Sequence, residues 1–287
     1  MSIFRSWQGQ ILFCLAALVS TPFAWAEGKF VVLDATIESE ELSQELEDMQ
    51  GDAMLQDLAD AINAIFIIPE DIGMRFSECE EANAYFSAED MEITMCIELL
   101  ADMDETLSES YPDDDDRAEA VAEAFTATVL HEVGHALVSV LEIPITGREE
   151  DAVDQLSAWV LIEADMGEAV LSTAETYYTA EEEADHETLA DEHSLNQQRY
   201  FNMVCWVYGS NPDDNEELLE DWELPEARAE QCPDEYALIN RSWSSLLADH
   251  LRYLPWLDHS PSSCSSEMEM ELHRRYFDTA GCISRST

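Results

Sequence analysis

The run His131-Glu132-Val133-Gly134-His135 places two imidazoles and a carboxylate at a spacing that can do metal chemistry. Histidines four apart on a helix differ by about 40° in direction, so His131 and His135 project from one face and can bind one Zn²⁺ ion. Glu132 can then take a proton from a water molecule at the metal and pass it to a leaving amine. The run therefore predicts a zinc site with Glu132 as the catalytic general base.

An alternative is a pair of solvated or core histidines, with Glu132 as an ordinary helix charge. The residues around the motif are apolar, which predicts that its polar groups are buried; they are Val129, Leu130, Ala136, Leu137 and Val140. Burying two histidines and a carboxylate together without an ion would be costly. The pattern favours the metal site, and Gly134 permits close packing beside the second ligand.

A catalytic zinc site needs a third protein ligand and an open fourth position. The segment 147–154 opens the helix after the motif, and Glu150 and Asp154 lie four apart on one face of it. We predict Glu150 as the third ligand and Asp154 as the acceptor of a hydrogen bond that fixes the tautomer of a ligand histidine. Glu149 and Asp151 are interpreted as surface charges.

A zinc hydrolase also needs a donor for the negative charge that develops on the carbonyl oxygen. The candidates are His193 and Tyr200, and His193 is also the one serious alternative ligand. The competing interpretation is that His193 caps or packs a helix. Arg199, beside Tyr200, is interpreted as forming an ion pair within a very acidic chain.

The elements that must position these residues are strands first and helices afterwards, which is an α+β arrangement. Hydrophobic periodicity predicts a strand at 30–33, one amphipathic helix at 38–66 and an extended segment at 74–79. It then predicts a hairpin of 84–86 with 92–99, a helix from 117 through the motif to before Pro144, a helix at 149–166, and a mostly helical remainder. Asp113 to Asp116 are interpreted as helix-start carboxylates rather than a calcium loop.

The strand 92–99 has two open interpretations. Its apolar residues alternate with polar ones, as in a strand with one buried face. It could offer an edge to an extended peptide substrate, or it could be a structural strand tied by a disulfide.

The first residues indicate export. Arg5, an apolar run at 11–19 and the small-x-small triplet Ala24-Trp25-Ala26 predict a signal peptide at 1–26, followed by a single domain at 27–287. No other segment is long and apolar enough for stable membrane insertion. The expected destination is the periplasm or the extracellular medium.

Six cysteines remain after that processing, which favours disulfides in an exported chain. Their spacing suggests sequential pairing: Cys79 with Cys96, Cys205 with Cys232, and Cys264 with Cys282. The formal net charge of −52 argues against a nucleic-acid partner because phosphates would be repelled.

The chain resembles a family of secreted bacterial metallopeptidases that is assigned by motif. The resemblance is carried by HEVGHAL at 131–137, GREEDAVDQLSAW at 147–159, DEHSLNQQRYFNMVCWVYGSNP at 191–212 and RAEQCPDEY at 228–236, and it extends back to NAYFSAEDMEITMCIELL at 83–100. It covers roughly Val31 to Leu251 and leaves a loop and terminal helix, about 255–287, outside.

The arrangement also looks like the gluzincin group of zinc peptidases, whose third ligand is a glutamate in an ExxxD context. The resemblance implies a zincin-like fold, with a small N-terminal sheet before the active-site helix. It implies peptide-bond hydrolysis with His131, His135 and Glu150 as ligands and Glu132 as base, acting on a peptide or protein substrate. Two alternatives stay open: an inactive acidic extracytoplasmic binding protein with a structural zinc site, and a cation-buffering surface protein.

Overall fold

The computed structural model describes residues 27–178, 186 and 188–252. Three predictions fall on other residues: the signal peptide at 1–26, the pair Cys264 with Cys282, and the terminal loop and helix at about 255–287. They lie outside the described residues.

A four-stranded sheet forms the N-terminal part of the fold. Its strands are β1 (Phe30–Val32), β2 (Ile72–Ser77), β3 (Ala84–Ser87) and β4 (Glu92–Cys96), in the spatial order β1-β2-β4-β3. β1 and β4 each pair parallel with β2, whereas β3 pairs antiparallel with β4. β4 is therefore a central strand, and β3 is the edge strand beside it.

Two expectations for β4 were wrong, and one of its two open interpretations is excluded. The strand ends at Cys96 and a helix begins at Glu98, so residues 97–99 do not continue it. Both of its faces are buried, including Thr94 and Cys96 on the face expected to be polar. Because β2 and β3 occupy both of its edges, β4 has no free edge for a peptide substrate.

Helices make up the rest of the described chain. They are α1 (Glu40–Asp48), α2 (Gly51–Ile65), α3 (Glu98–Leu107), α4 (Asp114–Val140), α5 (Glu149–Glu163), α6 (Gly167–Tyr177), α7 (Asn196–Ser210), α8 (Leu218–Asp221), α9 (Glu226–Ala229) and α10 (Cys232–Leu246), with a 3-10 turn at Thr188–Ala190. The sheet followed by helices confirms the predicted α+β class.

The single helix predicted at 38–66 is two helices. Gln50 has a φ of 54°, in the left-handed region, and this residue separates α1 from α2. Gly51 follows it, and a Cβ there would lie 2.2 Å from Cδ1 of Leu46. The turn folds α1 back so that Leu46 packs on Gly51, a contact between helices that periodicity does not report.

The long helix α4 is the centre of the fold. Asp113 caps it, with its side chain accepting hydrogen bonds from the backbone N–H groups of Asp115 and Asp116, and the carboxylates of 114–116 lie in its first turn, three residues earlier than the predicted start. α4 packs against α3, α5, α6 and the β3–β4 hairpin. The rings of Phe76 and Phe125 stack between sheet and helix, with centroids 5.6 Å apart. The helix that carries the motif is therefore held on several sides.

Two disulfides tie the described chain, and both match the predicted sequential pairing. Cys79 is bonded to Cys96, and Cys205 is bonded to Cys232. Disulfides of this kind are consistent with an exported protein. None of the described helices combines the length and the apolar character that crossing a bilayer requires.

Candidate metal centre

Helices α4 and α5 bring together three side chains that could hold a metal ion. One donor atom from each of His131, His135 and Glu150 lies within 4.8 Å of the other two. Oε2 of Glu150 is 3.2 Å from Nε2 of His131 and 3.3 Å from Nε2 of His135. Two nitrogens and one oxygen thus converge on one small volume, as the spacing of the sequence predicted.

The close approach of α4 and α5 depends on Gly134. A Cβ at this position would lie 2.8 Å from Cβ of Val153 and 2.9 Å from its Cγ1. Val153 is fully buried on α5, one turn after Glu150, so it has no room to move aside. The missing side chain allows the helix that carries the histidines to pack directly on the helix that carries the carboxylate.

We expect Gly134→Ala to destabilise the protein and weaken metal binding. Overpacking costs about 1–3 kcal/mol, which exceeds the roughly 1 kcal/mol that alanine gains over glycine in a helix. Urea unfolding and a zinc competition titration measure the two effects. Gly147→Ala is the matched control because a Cβ there meets nothing within 4 Å. Recovery of both properties on adding Val153→Ala is expected; equal effects of the two glycine variants would contradict this account.

Asp154 forms a hydrogen bond with the ring nitrogen of His131 that does not face Glu150. Its Oδ1 accepts a hydrogen bond from Nδ1 of His131 at 2.8 Å, and its carboxylate pairs with Nε and Nη2 of Arg199 at 2.8 and 2.7 Å. The guanidinium carbon of Arg199 lies 3.9 Å from the centre of the Tyr177 ring. When Nδ1 donates to Asp154, the lone pair of His131 is on Nε2, the atom that faces Glu150.

The second histidine has a carboxylate partner too. Nδ1 of His135 lies 2.9 Å from Oε1 of Glu149, whose side chain is 48% exposed. Glu149 is thus a surface charge, as interpreted, but one that also contacts the second histidine of the motif. Helix periodicity placed it off the Glu150 face, but in the first turn of α5 its long side chain reaches the other edge of His135.

His193 approaches the same carboxylate from a loop. Its Nε2 is 3.1 Å from Oε2 of Glu150, and its ring stacks on that of His131 with centroids 6.3 Å apart. Nη1 of Arg148 donates to the His193 carbonyl at 2.7 Å, and Ser194 donates to Asp151 at 2.6 Å. The start of α5 thus holds the loop in place. His193 does not cap a helix, and Asp151 is a loop anchor rather than a free surface charge.

A family model described as "Putative metallopeptidase" matches residues 35–247 of the 287, which includes every residue of this cluster. The chain belongs to this family. No curated protein and no solved structure matches it.

For this family member, the charges around the cluster suit a cation. Burial lowers the pKa of His131, but hydrogen bonds to Asp154 and Glu150 outweigh it and raise that pKa to about 9. Burial likewise opposes ionisation of Glu150, yet hydrogen bonds from the three histidines hold its pKa well below its usual range. Metal binding displaces protons from histidines. The carboxylates that stabilise the protonated histidines can therefore stabilise a divalent ion in place of those protons. The donor set fits the metal that a metallopeptidase requires.

Glu132 lies beside this cluster on α4 and is 5% exposed. Burial raises its pKa, while the charges of His131 and His135 oppose that rise. It shares a cavity with His131, Asp154 and His193, between the helices α3 to α7 and the start of β3. A carboxylate at this place can exchange protons with a molecule bound in the cavity.

Tyr200 does not reach the site, so its candidacy as a donor to the carbonyl oxygen was wrong. It is 4% exposed, and its hydroxyl donates to the carbonyl of Trp222. Its ring packs against Tyr178 and Phe201. Because Tyr200 directly follows Arg199 on α7, the two side chains point in different directions, and Arg199 is the one that faces the site.

Sequence reasoning missed Tyr177 and the role of Arg148. Tyr177 ends α6, and burial raises its pKa to about 12. Tyr177 lies in none of the quoted motifs, and Arg148, although it opens the segment 147–159, meets the site only through its hydrogen bond to the distant His193. The prediction that Arg199 forms an ion pair is confirmed. Its partner is Asp154, 45 residues away, which had been predicted only as a hydrogen-bond acceptor for a ligand histidine.

Proposed function

We propose that this protein is an exported zinc peptidase that cleaves peptide bonds by attack of water. The observation that carries the proposal is the convergence of His131, His135 and Glu150 within 4.8 Å, beside the buried carboxylate of Glu132. Membership of a family described as metallopeptidases supports the same reaction class.

In this proposal His131, His135 and Glu150 are the metal ligands. Two imidazole nitrogens and one carboxylate oxygen are a ligand set that zinc takes in catalytic sites with an open position. When bound, zinc would act as a Lewis acid that polarises the scissile carbonyl and makes water more acidic. Asp154 keeps His131 in the tautomer that binds metal, and Arg199 keeps Asp154 ionised.

Glu132 is the proposed general base. It takes a proton from the attacking water and returns it to the nitrogen that leaves. Its burial next to His131 keeps bulk water away from that transfer. His193, held by Arg148, is the proposed donor to the developing oxyanion. Its side chain is 41% exposed, which leaves it accessible to a substrate.

The proposed substrate is a peptide or protein met outside the cytoplasm. Two disulfides and the predicted signal peptide support export to the periplasm or the medium. The formal charge of −52 argues against nucleic acid as a substrate.

The test compares purified wild type with Glu132→Gln. Each is assayed for bound zinc by elemental analysis and for cleavage of an unfolded protein and a broad peptide library, with chelator controls. We expect about one zinc per chain in both proteins and a loss of cleavage of roughly 10²- to 10⁴-fold in the variant. Chelator should stop wild-type cleavage, and added zinc should restore it.

Two outcomes would contradict the proposal. Wild type without zinc would exclude the metal site. Zinc in both proteins with no cleavage by either would instead favour the inactive binding protein, in which zinc has a structural role.

A further inference from the structure

The cavity beside Glu132 has a volume of about 300 Å³, at the small end of ligand cavities. His131 and Glu132 form part of its wall, so it opens directly at the proposed reaction centre. A substrate side chain next to the scissile bond would enter it. The polarity of the other walls then decides which side chains fit.

Five hydroxyl groups line the cavity: that of Tyr177 and four from serine and threonine, and these four already donate to helix carbonyls. Thr128 donates to Ala124, Ser157 to Ala127, Thr173 to Ala169 and Thr176 to Thr173, at distances of 2.7–2.9 Å. A hydroxyl that has used its hydrogen offers only lone pairs to a ligand. This part of the cavity therefore presents acceptors and needs a donor.

The charged groups of the cavity point to a cationic donor. Arg199 is the only arginine or lysine among the described residues that line it, and it is paired with Asp154. Asp102, on α3, adds a carboxylate, and no arginine or lysine of the described chain forms an ion pair with it. An acidic side chain would be repelled, and an apolar one would leave the lone pairs without partners.

The remaining wall suits a long aliphatic stem. It is formed by Leu99, Met103, Ala127 and Met203, of which the last three are buried. Lysine and arginine bury their methylene groups along such surfaces and keep their charge at a polar end. We propose that this cavity is the specificity pocket of the peptidase and that it selects a lysine or arginine side chain through Asp102 and the hydroxyl acceptors.

This inference rests on the proposed function, because that function places the cavity beside the scissile bond. Measuring peptide binding tests the inference without any turnover. The protein is zinc-loaded Glu132→Gln, and the probes are labelled alanine-rich peptides with one variable residue: Lys, Arg, Gln, Glu or Leu. A salt concentration of about 0.5 M screens attraction by the distant acidic surface. We expect the Lys and Arg peptides to bind about tenfold tighter than the Leu and Glu peptides.

Asp102→Asn, added to the same protein, should reduce the preference for Lys over Leu to about threefold or less. Glu105→Gln is the matched control. It also removes one negative charge from α3, one turn after Asp102, but Glu105 does not line the cavity. It should keep the tenfold preference. Equal effects of the two variants, or no preference for Lys and Arg at all, would overturn the inference.

Cleavage by wild type separates this inference from the proposed function. Faster cutting beside Lys or Arg supports both. Cutting without any such preference in binding or rate overturns the pocket assignment and leaves the peptidase intact. Selective binding of the Lys and Arg peptides with no cutting of any peptide contradicts the peptidase and supports the basic-side-chain pocket.

Discussion

Replacing Glu150 with alanine should lower zinc affinity by about 10²- to 10³-fold and abolish peptide cleavage at ordinary zinc concentrations. Structural zinc sites with four ligands bind with about 10–16 kcal/mol, so one ligand accounts for roughly 3–4 kcal/mol. The change removes the oxygen that both Nε2 atoms approach, at 3.2 and 3.3 Å. A competition titration with a chromogenic chelator gives the affinity, and the same samples give the cleavage rate.

Glu149→Ala is the matched control for that experiment. Glu149 precedes Glu150 and also contacts His135. It contacts Nδ1 of that ring, whereas the proposed metal ligand is Nε2. Loss of such an outer partner costs about 10- to 100-fold in affinity. If Glu149→Ala loses more zinc than Glu150→Ala, then the third ligand is misassigned. If only His193→Ala matches the loss expected for Glu150→Ala, His193 is the ligand.

The second large effect concerns stability. Arg199→Met should lower the free energy of unfolding by about 3–5 kcal/mol, because it leaves a buried carboxylate without its partner. Asp154 and Arg199 are 4% and 9% exposed and are joined by two hydrogen bonds of 2.7 and 2.8 Å. Urea unfolding in the presence of chelator measures this loss without a contribution from metal binding.

Two controls separate stability from metal binding. Arg228→Met breaks a partly exposed pair with Glu235, whose side chains are 24% and 35% exposed, and should cost less than Arg199→Met, about 1 kcal/mol. The double variant Arg199→Met/Asp154→Leu should regain most of the stability, because no buried charge is left unpaired. It should still bind zinc about 10- to 100-fold more weakly than wild type, because Nδ1 of His131 has lost its acceptor. Full recovery of both properties would contradict the positioning role of Asp154.

The stability that Asp154 contributes should depend on pH in a defined direction. Burial raises its pKa, but the Arg199 charge and the His131 hydrogen bond outweigh burial and hold that pKa well below its usual range. The stabilisation is therefore complete above the unfolded pKa of about 3.9 and declines as pH falls below it. The difference in unfolding free energy between wild type and Arg199→Met should be largest near neutral pH and shrink as pH falls, because protons neutralise the unpaired Asp154 of the variant before they neutralise the paired Asp154 of the wild type.

Local pattern was sufficient for the motif helix and its neighbour. The 3.6-residue period places His131 and His135 on one face of α4, and Glu150 and Asp154 on one face of α5, regardless of the rest of the fold. Spacing also gave the two described disulfides. The helix faces depend on neighbours within a few turns of the same chain, so sequence alone specifies them, whereas the disulfides join residues 17 and 27 positions apart and spacing only suggested them.

Sequence pattern did not predict the features that depend on contacts between distant segments of the chain. The central place of β4 follows from its pairing with β2. For the same reason the strand at 92–99, one candidate for a free edge, lies inside the sheet, and the edge beside it is β3. Periodicity describes one element at a time and carries no information about which element lies beside it.

The sequence by itself determined that two histidines share one face of α4 and that two carboxylates share one face of α5. Tertiary structure decided what surrounds them: the bond from Arg199 to Asp154, the contact of Glu149 with His135, the loop that brings His193 to Glu150, and the acceptor-lined cavity beside Glu132. The reason is physical. Helical period fixes the direction of a side chain relative to its own axis, whereas its partners depend on how the axes pack.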